Sequence, residues 1–288
     1  MILHPGVKIN LGLNILRKRP DGYHDLETLF VPVSSLHDTL EVVTGEGYGT
    51  TADHICEAYE PAQREQAISA DGKLMITVAR REGVHWDPLH DLCVKAYFLL
   101  AEDFKLPPIK IFLEKNSPVG AGLGGGSADA AFTLRAIDQL CGLGLSDAAL
   151  ASYAARLGAD CPFFIYNRPM FASGRGEILE EFDLVGAFGS ASESDGLPFR
   201  VELVIPEGIS ISTREAYRGV TPALPPIPLR EVLHSPSTWK ENLRNDFEAS
   251  VFRRHPELAV LKADLYARGA FYAAMSGSGS ALFGLFEQ

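Results

Sequence analysis

The stretch PVGAGLGGGSADAA, from Pro118 to Ala131, decides how this sequence is interpreted. Five of the seven residues from Gly120 to Gly126 are glycine, and the helix-like segment SADAAFTLRAIDQL follows directly. Glycine loses more conformational freedom on folding than any other residue, so a run this dense needs a compensating use. The preceding IKIFLEK, Ile109 to Lys115, alternates as a strand does. The stretch is therefore predicted to be a strand, a glycine loop and a helix.

Three known glycine loops fit this stretch poorly. A P-loop starting at Gly120 needs lysine where Gly126 stands. The dinucleotide-binding pattern matches formally at Gly120, Gly122 and Gly125, but it also needs a second strand, and a second helix follows here instead. The protein-kinase loop needs valine where Ser127 stands.

The remaining interpretation is an anion-binding loop at a helix N-terminus. Successive glycines let backbone N–H groups converge on a phosphate chain, and the helix dipole adds to the attraction. Ser127 either caps the helix or offers its hydroxyl to a phosphate-bound Mg²⁺. A tight turn is the simpler alternative, but it needs one or two glycines rather than five. The predicted phosphate-binding residues are Pro118, Val119, Gly120, Ala121, Gly122, Leu123, Gly124, Gly125, Gly126, Ser127 and Ala128.

The composition is that of a globular protein. The chain has 288 residues, of which 46% are hydrophobic and 22% charged, and its net charge is -11. A nucleic-acid surface normally shows a basic patch, so no nucleic-acid partner is expected.

The cysteines and the lengths of the apolar runs indicate in which cellular compartment the protein is expected. The four cysteines form no C-x-x-C pair and no zinc spacing, so they are predicted to be reduced thiols. Residues 1–10 lack the basic start and apolar core of a signal peptide, and no apolar run approaches the ~20 residues of a membrane span. We expect a cytoplasmic protein with no membrane partner.

The rest of the chain mixes helices and strands without regular βαβ alternation, which favours an α+β fold. A helix is predicted from an N-cap at Ser146 to Gly158. Residues 45–70, which start Gly-rich and stay largely polar, are expected to form a long excursion, and residues 186–198 an exposed loop. Further strands are predicted at 7–16, 38–43, 73–79 and 199–206, helices at 91–104 and 243–268, and a strand, glycine loop and strand at 270–287.

Three segments together resemble the motifs of the GHMP kinases, a superfamily of small-molecule kinases. The glycine stretch resembles their second motif, VKINLGL near the N-terminus their first, and MSGSGSALFGLF near the C-terminus their third. Two more segments, RPDGYHDLETLF and LGADCPFF, narrow the resemblance to the members that phosphorylate a cytidine-diphosphate alcohol.

This resemblance implies a fold, a cofactor set and a reaction. It implies a two-domain α+β architecture with the active site in the inter-domain cleft, and we place the domains at residues 1–165 and 166–288. It also implies Mg²⁺-dependent transfer of the ATP γ-phosphate to the 2-hydroxyl of a methylerythritol moiety. The cytidine-diphosphate alcohol and ATP would be the small-molecule partners.

The same resemblance implies roles for individual residues. Lys8 and Asp160 would carry the chemistry. The implied substrate-binding residues are Asn10, Tyr23, His24, Thr213 and Tyr217. The two tyrosines would sandwich the cytosine, and His24 would read its edge. Considered without the resemblance, Lys8 is a solvated strand-face charge and Asp160 an ordinary loop aspartate.

One position departs from the family pattern. Asp91 stands where an asparagine usually begins the adenine-side helix. An ionised carboxylate only accepts hydrogen bonds, so adenine recognition is in doubt there. Two other functions stay open: a homoserine- or mevalonate-type kinase, and a non-catalytic nucleotide-binding regulator.

Overall fold

The computed structural model describes residues 1–45, 47, 49–188 and 196–288, and it confirms the α+β class. The chain divides into two compact units. Unit 1 comprises Met1–Val7, Ser34–Pro118 and Gly125–Asn167, and unit 2 comprises Lys8–Val33, Val119–Gly124 and Arg168–Gln288. The predicted domain boundary at residue 165 stays a prediction.

The strands and helices follow one another along both units. The strands are β1 (Ile2–Leu3), β2 (Gly6–Lys18), β3 (His24–His37), β4 (Thr39–Thr44), β5 (Arg64–Ile68), β6 (Leu74–Arg80), β7 (Ile109–Lys115), β8 (Met170–Ser173), β9 (Ile178–Glu181), β10 (Arg200–Val204), β11 (Tyr272–Met275) and β12 (Leu282–Phe286). The helices are α1 (Thr50–Ala58), α2 (Leu92–Ala101), α3 (Gly125–Cys141), α4 (Asp147–Leu157), α5 (Cys161–Tyr166), α6 (Leu184–Phe188), α7 (Thr213–Arg218), α8 (Leu229–Leu233), α9 (Trp239–Asn242), α10 (Glu248–Arg254) and α11 (Pro256–Ala267).

Unit 1 is a helix layer on a five-stranded sheet of order β1-β4-β7-β6-β5. Strands β6 and β7 are parallel, and the other pairs are antiparallel. Helix α3 packs against β4, α2, α4 and α5. Its buried face carries Ala130, Ala131, Leu134 and Ile137, and the two alanines allow neighbouring elements to approach closely.

Unit 2 contains two sheets. One has the order β2-β3-β8-β9, and the other has the order β10-β12-β11 and is antiparallel throughout. A buried apolar cluster collects Leu13, Ile15 and Leu26 from β2 and β3 together with Phe247, Val251, Met275 and Leu282 from the C-terminal part of the chain. The cluster therefore joins residues more than 200 positions apart in sequence.

Most predicted elements are confirmed. Strand β7 spans the predicted Ile109–Lys115, and α4 begins after Ser146, whose hydroxyl accepts from the backbone N–H of Ala149 at 3.2 Å. The closing strand, glycine loop and strand are β11, residues 276–281 and β12.

Two predictions need correction, and one segment contains elements that were not predicted. The excursion at 45–70 contains α1 and β5, because its polar residues lie on an amphipathic helix and on a strand that pairs on one side only, with β6. The predicted helix 243–268 is two helices, because Pro256 lacks the N–H that would continue α10. The exposed loop predicted at 186–198 begins inside α6, Leu197 is buried, and residues 189–195 lie outside the described residues.

Candidate active site

The glycine loop, residues 118–124, has a backbone that only glycine adopts readily. Gly120, Gly122 and Gly124 have φ of 78°, 80° and 74°, in the left-handed region. A Cβ on Gly122 would lie 2.2 Å from the carbonyl oxygen of Ser276, so this glycine is required for a close approach of two backbones. Glycine at these positions is thus explained by backbone geometry.

The three motifs meet within unit 2. The Lys8 N–H of the first motif donates to the carbonyl of Leu123 in the second, at 2.9 Å. The Ser276 hydroxyl of the third motif donates to the carbonyl of Gly122 at 3.0 Å, and the Ala281 N–H donates to the carbonyl of Ala121 at 3.1 Å. Two glycine loops and the first-motif strand therefore form one connected backbone arrangement.

Lys8 lies inside the protein, not on a solvated strand face. It is 3% exposed, and its Nζ donates to Oδ1 of Asn10 at 2.5 Å and lies 5.0 Å from the centre of the Phe30 ring. Asn10 Nδ2 donates to Oγ1 of Thr28 at 3.0 Å, and that hydroxyl donates to the Gly12 carbonyl at 2.5 Å. The first motif thus holds its lysine through a buried chain of hydrogen bonds.

The start of helix α3 differs from the prediction for Ser127. The helix begins at Gly125, so Ser127 lies in its first turn and is not the N-cap. The two glycines before it take up helical geometry and continue the loop into the helix. The half-buried Ser127 lies beside the thiol of Cys161 and acts to lower the pKa of that thiol.

Asp160 precedes helix α5 in unit 1. It is half-buried, occupies the N-cap position and makes no capping hydrogen bond with its side chain. Burial raises the pKa of the neighbouring Cys161 thiol to about 11; the Ser127 hydroxyl acts to lower that pKa, and the Asp160 charge acts to raise it. The contact between Ser127 and Cys161 therefore brings the first turn of α3 next to the Asp160 segment.

A buried cluster of charged side chains connects the segment before the glycine loop to the helix after it. The ammonium of Lys115, at the end of β7, contacts Asp38 and lies 2.6 Å from Oδ2 of Asp129 in α3. Asp38 also accepts from the backbone N–H groups of Asn116 and Ser117 at 2.6 and 2.7 Å. Burial raises the pKa of Asp129, and its Oδ1 has no hydrogen-bond partner in the described part of the chain.

Neither this cluster nor the hydroxyl of Thr28 is among the residues predicted from sequence. The sequence contained two features that could have indicated them. Lys115 and Asp129 lie on either side of the glycine loop, and Thr28 lies inside an apolar strand.

The proposed base-recognition residues all lie in unit 2, where two of them are stacked on each other. The rings of His24 and Tyr217 have centroids 4.8 Å apart and planes 22° apart. Burial, with the charge of Lys18, lowers the pKa of His24, which favours the neutral imidazole. Tyr23 is 58% exposed, and the Arg175 guanidinium lies 5.0 Å from its ring centre. The cytosine sandwich stays a prediction, and it requires a base to replace His24 on that face of Tyr217.

Thr213 connects these residues to the third motif. Its hydroxyl lies 3.3 Å from the hydroxyl of Ser278. Thr213 and Tyr217 are four residues apart on the single helix α7 and therefore lie on one side of it.

Asp91 has a structural role in this chain. Its Oδ1 accepts from the Cys93 N–H at 2.9 Å as the N-cap of α2, and its Oδ2 accepts from the indole N–H of Trp86 at 3.1 Å. The two contacts use both carboxylate oxygens as acceptors, and asparagine has only one acceptor oxygen, so this pair of donors suits aspartate.

These loops and this fold define a class of protein. Residues 91–168 match the family model "GHMP kinases N terminal domain", and residues 229–288 match "GHMP kinases C terminal". A solved structure of 4-(cytidine 5'-diphospho)-2C-methyl-D-erythritol kinase is similar, with a TM-score of 0.72 and 33% identity over 99% of this chain and 90% of that one.

Curated sequences narrow the class. The 4-diphosphocytidyl-2-C-methyl-D-erythritol kinases of Bacteroides fragilis and Parabacteroides distasonis are each 44% identical to this chain, over 100% of it and 92% of their own length. The chain belongs to the GHMP kinase superfamily and, within it, to the 4-diphosphocytidyl-2-C-methyl-D-erythritol kinase family.

Among the described residues, no helix combines the length and apolar character that crossing a membrane requires. In the same residues, no group of three or more histidine, cysteine or acidic side chains could hold a metal ion. All four cysteines are free thiols.

Proposed function

We propose that this chain transfers the γ-phosphate of ATP to the 2-hydroxyl of 4-diphosphocytidyl-2-C-methyl-D-erythritol, a step of non-mevalonate isoprenoid precursor synthesis. The observation that carries this is the contact between Thr213 and Ser278, which links the aromatic pair His24 and Tyr217 to a glycine loop in one unit. A base-recognition surface next to a phosphate-binding loop suits a nucleoside-diphosphate substrate better than homoserine or mevalonate, which carry no base. Free thiols support a cytoplasmic location.

The reaction asks mainly for positioning and for stabilisation of developing charge. The Asp160 carboxylate accepts the proton of the substrate 2-hydroxyl. The hydroxyl oxygen forms a bond to the γ-phosphorus of ATP, and the bond between the γ-phosphorus and the β-phosphate oxygen breaks and releases ADP. The buried ammonium of Lys8, oriented by Asn10, stabilises the negative charge on the transferred group. The glycine-loop N–H groups and the dipole of α3 hold the triphosphate.

Mg²⁺ is part of the proposal. This ion usually binds through substrate phosphates, waters and one or two protein oxygens, so a site without a preformed protein cage among the described residues suits it. The Ser127 hydroxyl would supply one oxygen, and the ion would neutralise charge on the phosphates.

The test is ADP release with a panel of alcohols. We expect turnover with 4-diphosphocytidyl-2-C-methyl-D-erythritol and none above background with homoserine or mevalonate. Asp160→Asn should lower kcat by about 10²-fold or more and leave the dissociation constant of ATP nearly unchanged. Turnover of homoserine or mevalonate instead would assign another kinase of the superfamily, and ATP binding without any turnover would favour a regulator.

A further inference from the structure

Unit 2 contains a cavity of about 410 Å³ that no role assigned so far uses. It lies between Asn14 on β2, the proline-rich residues 220–229 and helix α10. Its volume is within the range of small-molecule sites. None of the residues assigned above to catalysis, ATP or the cytidine substrate lines it.

The side chain of Asn14 provides the first indication of a ligand. Asn14 is 7% exposed and lines the cavity, and its amide has no hydrogen-bond partner among the residues that the structure describes. The amide atoms reach the space of the cavity, because Asp129 Oδ1 is the one fully buried side-chain nitrogen or oxygen atom without a partner among the described residues. The amide is therefore the polar group that β2 offers to a molecule in the cavity.

The charges of the lining favour an anion. Arg244 and Arg253 line the cavity, and the one carboxylate among its described lining residues is Asp246. Burial raises the pKa of Asp246, whose Oδ2 accepts from the Ile15 N–H at 2.7 Å. Two exposed arginines thus line the cavity beside one carboxylate, in a protein whose net charge is -11.

The remaining lining is apolar. Leu229 and Val232 are buried, and Leu224 and Ile227 are large exposed hydrophobic residues of the proline-rich segment. Exposed apolar side chains around a concave site are typical of a surface that a ligand covers.

We infer that this cavity binds a small amphipathic anion, with its carboxylate or phosphate head at Arg244 and Arg253. The apolar body packs on Leu224, Ile227 and Leu229, and Asn14 hydrogen-bonds to a polar group of the molecule. The site is separate from the residues proposed for catalysis, so it does not depend on the proposed function.

The test uses octyl phosphate as the probe, below its micelle concentration, titrated into the full chain by isothermal calorimetry. We expect one saturable site per chain. Inorganic phosphate and 1-octanol, which each lack one half of the probe, should bind at least about tenfold more weakly. Octanoate in place of octyl phosphate distinguishes a carboxylate from a phosphate head, and saturable binding of either supports the proposal.

Two variants locate the site. Arg253→Gln should weaken the probe about tenfold, as the loss of a charge-assisted hydrogen bond does. Asn14→Leu should also weaken it and should leave the melting temperature of the free protein unchanged or higher, because no described protein partner of the amide is lost. Lys105→Gln is the matched control, since it removes one exposed positive charge from unit 1 and should leave probe binding unchanged.

Several outcomes would overturn the inference. No saturable binding by either anion, or equal binding of 1-octanol, removes the anionic ligand. An equal loss in Arg253→Gln and Lys105→Gln indicates a general charge effect. Displacement of the probe by ADP places it in the nucleotide site, and strong destabilisation of free Asn14→Leu assigns the amide a structural role.

Discussion

The chain of hydrogen bonds from Lys8 to the Gly12 carbonyl has only one possible direction. A carbonyl can only accept, so the Thr28 hydroxyl must donate to Gly12. Its oxygen then accepts from the Asn10 amide nitrogen, which turns the Asn10 oxygen toward the ammonium of Lys8. Thr28 therefore decides the orientation of Asn10 without being a catalytic residue itself.

Replacing Thr28 tests this positioning role. Thr28→Val keeps the shape but removes the acceptor of the buried Asn10 amide N–H and the hydroxyl donor to the Gly12 carbonyl, which should lower the free energy of unfolding by about 1–3 kcal/mol. It should also lower kcat about tenfold or more through misplacement of Asn10 and Lys8, with little change in KM for the cytidine substrate. Thr28→Ser keeps the hydroxyl and should retain kcat. Equal kcat in the valine and serine variants would contradict the role.

We propose that the stacked rings of His24 and Tyr217 determine substrate choice. Base–aromatic stacking is worth about 1–3 kcal/mol, so Tyr217→Ala should raise KM for the cytidine substrate roughly 5- to 150-fold. KM for ATP should stay nearly unchanged. His24→Ala should relax discrimination against a uridine form of the substrate, because a neutral imidazole offers one donor and one acceptor to a base edge.

The measurement for these two residues is a set of KM values for the cytidine and uridine substrates in three proteins. If the wild type, Tyr217→Ala and His24→Ala treat both bases alike, base recognition lies elsewhere in the molecule.

At the scale of the glycine loop, a comparison of Gly120 with Gly122 distinguishes the cost of a left-handed backbone from the cost of losing a contact between loops. Gly120 and Gly122 have nearly equal positive φ, but a Cβ on Gly120 has no atom within 4 Å, whereas one on Gly122 would meet the third-motif loop. The two positions therefore differ mainly in the approach of that loop.

Alanine substitutions exploit this difference. Gly120→Ala should cost about 1–2 kcal/mol of unfolding free energy, the usual penalty for a left-handed residue with a Cβ. Gly122→Ala should cost clearly more, because the contact with Ser276 must open as well, and it should raise KM for ATP more than KM for the cytidine substrate. Equal effects of both variants would mean that the contact between the loops has no energetic weight.

Across the molecule, the two units are interleaved along the chain. Most of strand β3 belongs to unit 2, where it pairs with β8 through Thr28 and Ala172. Leu13 of β2 also forms a β-bridge with Asn245. Unit 2 thus takes part of its sheet and core from the first 33 residues.

A fragment of residues 168–288 should therefore not fold alone. It lacks β2 and β3 and the apolar side chains that these strands place in the core. We expect no cooperative thermal transition by circular dichroism, whereas the full chain should unfold cooperatively. A cooperative transition in the isolated fragment would contradict the interleaved core and would support an independent C-terminal domain.

Local signals in the sequence are sufficient to predict the class of fold, the glycine loop and the family. Glycine runs, the Ser146 cap and period-2 strands are signals of this kind, because backbone dihedrals and capping depend on neighbouring residues. Because these signals are local, they failed to indicate strand β5 and the division of the predicted helix 243–268. The edge strand β5 is too polar to be recognised, and the break at Pro256 lies within a pattern that is helical on both sides.

Which groups are brought together is a property of the tertiary structure. That Lys8 is buried, that Ser276 reaches Gly122, and that His24 stacks on Tyr217 depend on tertiary contacts, and the last two pairs are 154 and 193 positions apart. Such contacts form when distant apolar side chains such as Leu13 and Phe247 share one core, and the free energy of burying them is set by the whole chain. A local pattern carries no information about these partners, so the sequence indicated the candidate residues and the fold assigned their contacts.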